Sequence, residues 1–389
     1  LAAAVESGAQ DDVRQLVTSG RRVRRGTLVA AARSNDVAFV AWLLDHSEHT
    51  VESAMGGNGY TVGGRMMCEA ASAGAIHVVQ WLGGEQGVDP DAVVEGETAL
   101  AFAASAGSMD VVTWLVKSAG ARIDGVDGCD QTPLATAAGA GHIDIVLWLV
   151  ENGADVNLAR NDGATPLYLA ALKNHVEIID WLIAHGGADV EQPRSTGSTP
   201  LYVAAVEGHL AAAQRLLAGG ASPTAANNRG TTPLLIAASN GHAHIVRWLV
   251  TDVGVDVNAT QPNGDTTLLI AAFLGNVELV RWLVATGGAD VNKARNDGVT
   301  PLYIACVQGH AEVVAWLAAY PATDVNLGKP DGTSPLHEAI QPIDAALDMV
   351  SALVATGRAD LDLAQSDGKT ALGVAARLGI LPLVAYLVV

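Results

Sequence analysis

The chain's 389 residues exceed what one compact core holds, so several domains or a repeat array are expected, and half are apolar against 16% charged, which excludes a disordered chain. A formal net charge of −19 repels phosphate backbones and anionic membrane surfaces, so nucleic acid and membranes are poor partners, and no apolar run approaches a membrane span. The three cysteines (Cys68, Cys129 and Cys306) lack metal-type spacing and suit a reducing compartment, so an intracellular, cytoplasmic location is expected.

In chain order, a first helix runs from Leu1 without a cap, a second unit aligns at Thr27-Leu28 and ends near Leu44, and a third runs from Met66 to Leu82. The connection at 45–65 is long. From there a motif recurs: Thr98-Ala99-Leu100, then Thr-Pro-Leu at Thr132, Thr165, Thr199 and Thr232, Thr266-Thr267-Leu268, Thr-Pro-Leu at Thr300, Ser334-Pro335-Leu336 and Thr370-Ala371-Leu372. The step is 33 or 34 residues from 98 to 334, and 36 to 370. A fixed period of this size marks a stack of supersecondary units.

Each unit reads as helix, tight turn, helix and extended loop. Thr before Pro is an N-cap followed by a residue preset for the first helical turn. An Ala-Ala pair, as at Ala137-Ala138, allows close helix approach, and Gly-His, as at Gly141-His142, breaks the helix. A second apolar helix follows, for example Ile145 to Val150. A Gly two residues before each repeat Thr (Gly163, Gly197, Gly230, Gly264, Gly298), mostly after Asp or Asn, predicts a hairpin-like finger. All eight Trp fall at one position of the second helix, where the flanking Val-Val-x-Trp-Leu pattern predicts core. Extra residues around Gln341-Pro342 predict a distorted helix pair. Leu1 opening inside a helix and the apolar finish from Leu381 to Val389 lead us to expect a fragment of a longer chain.

These residues resemble the ankyrin repeat. The resemblance is strong over 98–338 and looser outside, and it implies an all-α solenoid of helix-turn-helix units with β-hairpin-like fingers. Twelve approximate repeats would make one array over 1–389: 1–25, 26–64, 65–97, 98–131, 132–164, 165–198, 199–231, 232–265, 266–299, 300–333, 334–369 and 370–389. The His of the family's Thr-Pro-Leu-His survives only as His337; Tyr168, Tyr202 and Tyr303, or Leu235 and Leu269, replace it. Asn174 stands where an inter-helix Gly is usual.

The resemblance implies a non-catalytic scaffold that binds a protein or peptide on the finger tips and the concave first-helix face. The alternative is a recruiting arm of a larger enzyme or channel. Helix-end candidates are Leu172, Lys173, Val206, Glu207, Ser239, Asn240, Phe273, Leu274, Val307 and Gln308, with Phe273-Leu274 the best anchor and inter-repeat packing the competing reading. On the fingers, Arg160, Arg194, Arg295 and Lys329 form a row, with Asn161, Arg229, Asn263 and Asn296 beside it. Such a basic row suits an acidic peptide, unless the arginines pair with neighbours such as Asp162 and Asp297. The resemblance also raises asparaginyl hydroxylation at Asn157, Asn258, Asn292 and Asn326.

No cofactor, metal or catalytic constellation is expected. His142, His175, His209, His242 and His310 recur one per unit, too far apart to share a metal. His242-Ala243-His244 stands without further ligands. Gly368-Lys369-Thr370 echoes a phosphate-binding loop but has Leu363 where the first Gly is required, and Gly57-Asn58-Gly59 lacks a full dinucleotide fingerprint. Asn258-Ala259-Thr260 matches a glycosylation acceptor inside a repeat loop, by chance.

Overall fold

The computed structural model describes residues 1–53, 60–128, 130–341 and 346–388. Cys129, Pro342 and Gly57-Asn58-Gly59 lie outside them. Contacts group the chain into two compact units, Leu1–Pro200 with Ala211–Ala221, and Leu201–Leu210 with Ser222–Val389. Both are all-α, and β-structure among the described residues is limited to isolated bridges such as Thr260 to Thr266.

In the first unit, the first helices of successive repeats (Arg25–Ala32, Val62–Ser72, Ala99–Ala106, Pro133–Ala140, Pro166–Leu172) pack side by side. Their second helices (Val37–Asp45, Ile76–Gln80, Met109–Lys117, Ile143–Glu151, Val176–Trp181) form a parallel layer. In the second unit the first-helix layer is Pro233–Ser239, Thr267–Phe273, Pro301–Gln308, Pro335–Glu338 and Ala371–Leu378. The last repeats supply Val277–Ala285, Ala311–Ala319, Ala346–Val354 and Leu381–Val388 to its second layer.

The repeat Thr does what its position predicts. Its hydroxyl accepts the backbone N–H three residues on, at 3.1 Å for Thr132 to Ala135 and 3.1 Å for Thr300 to Tyr303. The Ala pairs are fully buried where first helices touch, and Cys306 takes one such place. Burial pushes the Cys306 thiol up, and that of Cys68 up to about 12, so both are inert packing groups. Where repeats are 34 residues apart, the extra residue follows the Trp. It is wound into a wide π turn at Trp81–Glu85 and Leu182–Gly186. After Trp114, Trp248 and Trp282 the Trp carbonyl instead accepts two N–H groups, four and five residues on.

The tryptophans meet the core expectation in part, since Trp248, Trp282 and Trp316 pack against the core from its edge. Only Trp81 is buried, at 8% exposure; the other seven are half-buried. The fully buried side chains of the second helix are those at Ile145, Val146 and Leu149, so the Trp position flanks that stripe. Some of the rings are covered by a cation of the preceding repeat: Lys117 sits 5.7 Å from the Trp148 ring and Arg247 5.7 Å from Trp282. An indole is too large to fit beneath the stripe and keeps one edge wet.

The repeat at Ser334 is irregular, as the distorted helix pair expected from its extra residues requires. Its first helix is a single turn, Pro335–Glu338, in which His337 Nδ1 meets Ser334 Oγ at 2.9 Å.

Candidate partner-binding face

Successive repeats are joined by two recurring side chains. The Asn of each Asp-Val-Asn segment clasps the next repeat at two points. Asn292 Nδ2 donates to the Ala322 carbonyl at 2.7 Å and its Oδ1 accepts from Asp324 N–H at 2.8 Å. Asn157, Asn258 and Asn326 make the same pair of bonds. The turn His is the second joint: His310 Nε2 contacts the Phe273 carbonyl at 2.8 Å, and its ring occupies the space a Cβ on Gly275 would need. His142, His175 and His242 repeat this on Gly107, Gly141 and Gly208. Each such Gly sits at positive φ, so it is required both by conformation and by the neighbouring ring. Asn174 keeps the left-handed φ at 59° and accepts from Ala212 N–H at 3.3 Å.

The fingers are tight turns. Arg295 N–H donates to the Val299 carbonyl at 2.8 Å, and Gly298 N–H to Arg295 at 2.9 Å. The basic row lies at the first turn residue and rests on the protein itself. Arg194 donates to Asp162 at 2.8 Å and covers the Tyr168 ring at 5.4 Å. Lys329 covers Tyr303 at 5.2 Å, and Asn227 donates to the Tyr202 hydroxyl at 3.0 Å. The Tyr that replaces the family's His therefore receives the next finger's side chain. Where Leu269 stands instead, Arg295 forks onto Asp297 at 2.8 and 2.6 Å. That fork holds the Asp297 carboxyl down at about 2. Arg160 lies 3.5 Å from Asp162. Arg229, Asn161, Asn263 and Asn296 are exposed, although Asn296 Nδ2 bonds the Pro262 carbonyl at 2.9 Å.

The helix-end residues fall into two groups. Ser239 and Asn240 are engaged within the protein: Ser239 Oγ bonds Leu235 O at 3.0 Å, and Asn240 Nδ2 reaches Val206 O of the preceding repeat at 2.8 Å. Leu172 and Val206 are half-buried, while Lys173, Glu207 and Gln308 are exposed and polar. Phe273, Leu274 and Val307 stand out, being 46%, 45% and 36% exposed on first helices that pack side by side. The half-buried Ile236 and Ile270 extend this apolar surface one turn inward. Since its carbonyl holds His310, Phe273 has a fixed backbone and a free ring.

Comparison with known families decides what the repeat is. The family model for ankyrin repeats, in three copies, matches residues 67–160, 154–227, 187–261, 214–294 and 234–329. The chain belongs to the ankyrin-repeat family. No match was found among curated proteins.

Within this ankyrin array the remaining sequence candidates have structural roles. His242 and His244 each contact a separate carbonyl, at 2.9 and 3.0 Å, with rings 6.0 Å apart. Gly368 closes a finger turn, and Thr370 caps the helix that follows. Among the described residues, no three His, Cys, Asp or Glu are grouped to hold a metal, and no helix is long and apolar enough to cross a membrane. One cluster escaped the sequence reading: Arg21, Arg22, Arg24 and Arg25, whose density in an acidic chain was the available signal.

Proposed function

We propose that this ankyrin array is a non-catalytic scaffold that binds a protein or peptide partner on its first-helix face and finger tips. The exposed apolar surface of Phe273, Leu274 and Val307 carries the reading, because three large apolar side chains side by side on a water-facing layer favour a partner that covers them. The fingers add polar selectivity. Arg229 is exposed, while Arg295 and Lys329 rest on intramolecular partners that an acidic segment would compete with, so apolar contact leads and charge follows.

The test is comparative capture with three forms of the chain: wild type, Phe273→Glu, and Arg247→Glu. Arg247 is exposed on a second helix and serves as the control. Partners held by wild type and Arg247→Glu should fall at least about tenfold with Phe273→Glu, at an unchanged unfolding midpoint. Equal retention by all three forms would remove the first-helix face as the binding surface.

A further inference from the structure

A dense group of positive charge lies outside the residues of that surface. Arg21, Arg22, Arg24 and Arg25 occupy four of the five consecutive positions centred on Val23. Val23 is buried and forms a backbone bridge with Ser47, which fixes the loop and turns Arg21, Arg22 and Arg24 into solvent. These three arginines line an open cleft of about 1100 Å³ together with His46 and His49. The one carboxylate on its wall is Glu48, 3.8 Å from Arg22 with both side chains exposed. Among the described residues, Arg21, Arg24 and Arg25 have no ion-pair partner, in contrast to Arg65, Arg194 and Arg295.

The same cleft contains the start of a helix. Helix Arg25–Ala32 begins after Arg24, whose side chain makes no capping bond. The N–H groups of Arg25 and Gly26 have no protein acceptor among the described residues. Gly26 and Thr27 are part of the cleft wall. A free N–H at the positive end of a helix, on a cleft wall shared with three guanidinium side chains, suits the oxygens of a phosphate group.

We propose that this cleft binds a phosphate monoester or pyrophosphate group, with Arg21, Arg22 and Arg24 and the first turn of helix Arg25–Ala32 as its donors. The patch is one loop wide on a chain of net charge −19, so it suits one compact anion rather than a nucleic-acid backbone. The site shares no residue with the Phe273, Leu274 and Val307 surface.

Calorimetric titration of the whole chain at low salt provides the test, with pyrophosphate, a phosphoserine peptide mixture, the matching serine mixture and duplex DNA as probes. Pyrophosphate should bind, and the phosphoserine mixture should bind at least about tenfold more tightly than the serine mixture. Both should lose at least about tenfold with Arg21→Glu/Arg24→Glu, and neither should change with Arg229→Glu on a finger. Both Arg21 and Arg24 are exposed, so the variant should keep its unfolding midpoint. A phosphopeptide much tighter than pyrophosphate assigns the source to a modified protein; equal affinities assign it to free polyphosphate. Absent pyrophosphate binding, identical binding by the double variant, or variant-sensitive binding of DNA alone would each overturn the proposal.

Discussion

Residues 232–333 and residues 1–53 use one helical-pair plan, yet they hold their neighbours differently. The later stretch has Thr caps at Thr232, Thr266 and Thr300, clasps at Asn258 and Asn292, and His310 seated on Gly275. Among the described residues the early stretch has one side-chain cap, Asp36 on Phe39 N–H at 3.0 Å, and two side-chain joints between repeats, Gln10 with Asp36 at 3.3 Å and Asn35 with His77. Its Gly8 faces open space. A repeat helix is too short to be stable alone, so the joints set how firmly each stretch is held.

The largest contrast should come from glycine. Gly275→Ala forces a left-handed alanine against the His310 ring and should cost about 3 kcal/mol, read from the urea midpoint. Gly8→Ala has the same φ problem without a clash and should cost about 1 kcal/mol. Near-equal costs would mean that the His joint carries no weight.

The clasp comes next. Asn292→Ala removes both bonds to the following repeat and should cost about 2 kcal/mol, with Asn292→Asp losing about half as much because its acceptor survives. The stretch between the two regions has acids at this position, Asp91 and Asp124, which accept N–H groups from Arg122 and Asp155. Burial, aided by the nearby Asp155 charge and opposed by its N–H, raises the Asp124 carboxyl. A raised acid favours the fold while protonated and loses that favour as pH rises. Asp124→Asn should therefore stabilise by about 1 kcal/mol at pH 7, from the regained donor, with a smaller gain in acid.

The smallest effect belongs to the fingers. Asp297 is depressed by Arg295, so its contribution is present above the ordinary carboxylate range and fades as pH falls toward 2. The pair is partly exposed, and Asp297→Asn should cost only about 0.5 kcal/mol at neutral pH, less in high salt. Unfolding midpoints across pH and salt give the check.

Much of this was legible in the sequence, because caps, turns and period are local. Thr132, Gly163 and Gly141 act through residues a few positions away, so pattern alone places them. What joins repeats was harder to read. Asn292 reaches Asp324, and Tyr303 meets Lys329, across a neighbour that the sequence shows only as another copy. The finger arginines therefore left two readings open, a basic row for a partner or pairing with neighbouring acids, and Asp162 and Asp297 hold three of them. The tryptophans were legible in part: the Val-Val-x-Trp-Leu pattern marks the apolar stripe but not its edge, and an indole at the edge is half-wet. Phe273-Leu274 was visible as an anomaly, two large apolar residues where a soluble helix end is normally polar.

Hydrogen exchange at Asp324 tests the joint between repeats most directly. Its N–H is exposed in sequence context yet bonded to Asn292 across the repeat boundary. The wild-type amide should exchange slowly and become fast in Asn292→Ala, while Asp290, held by Asn258, stays protected. An Asp324 amide that exchanges freely in the wild type would show that the stacked pairs are not clasped in this way.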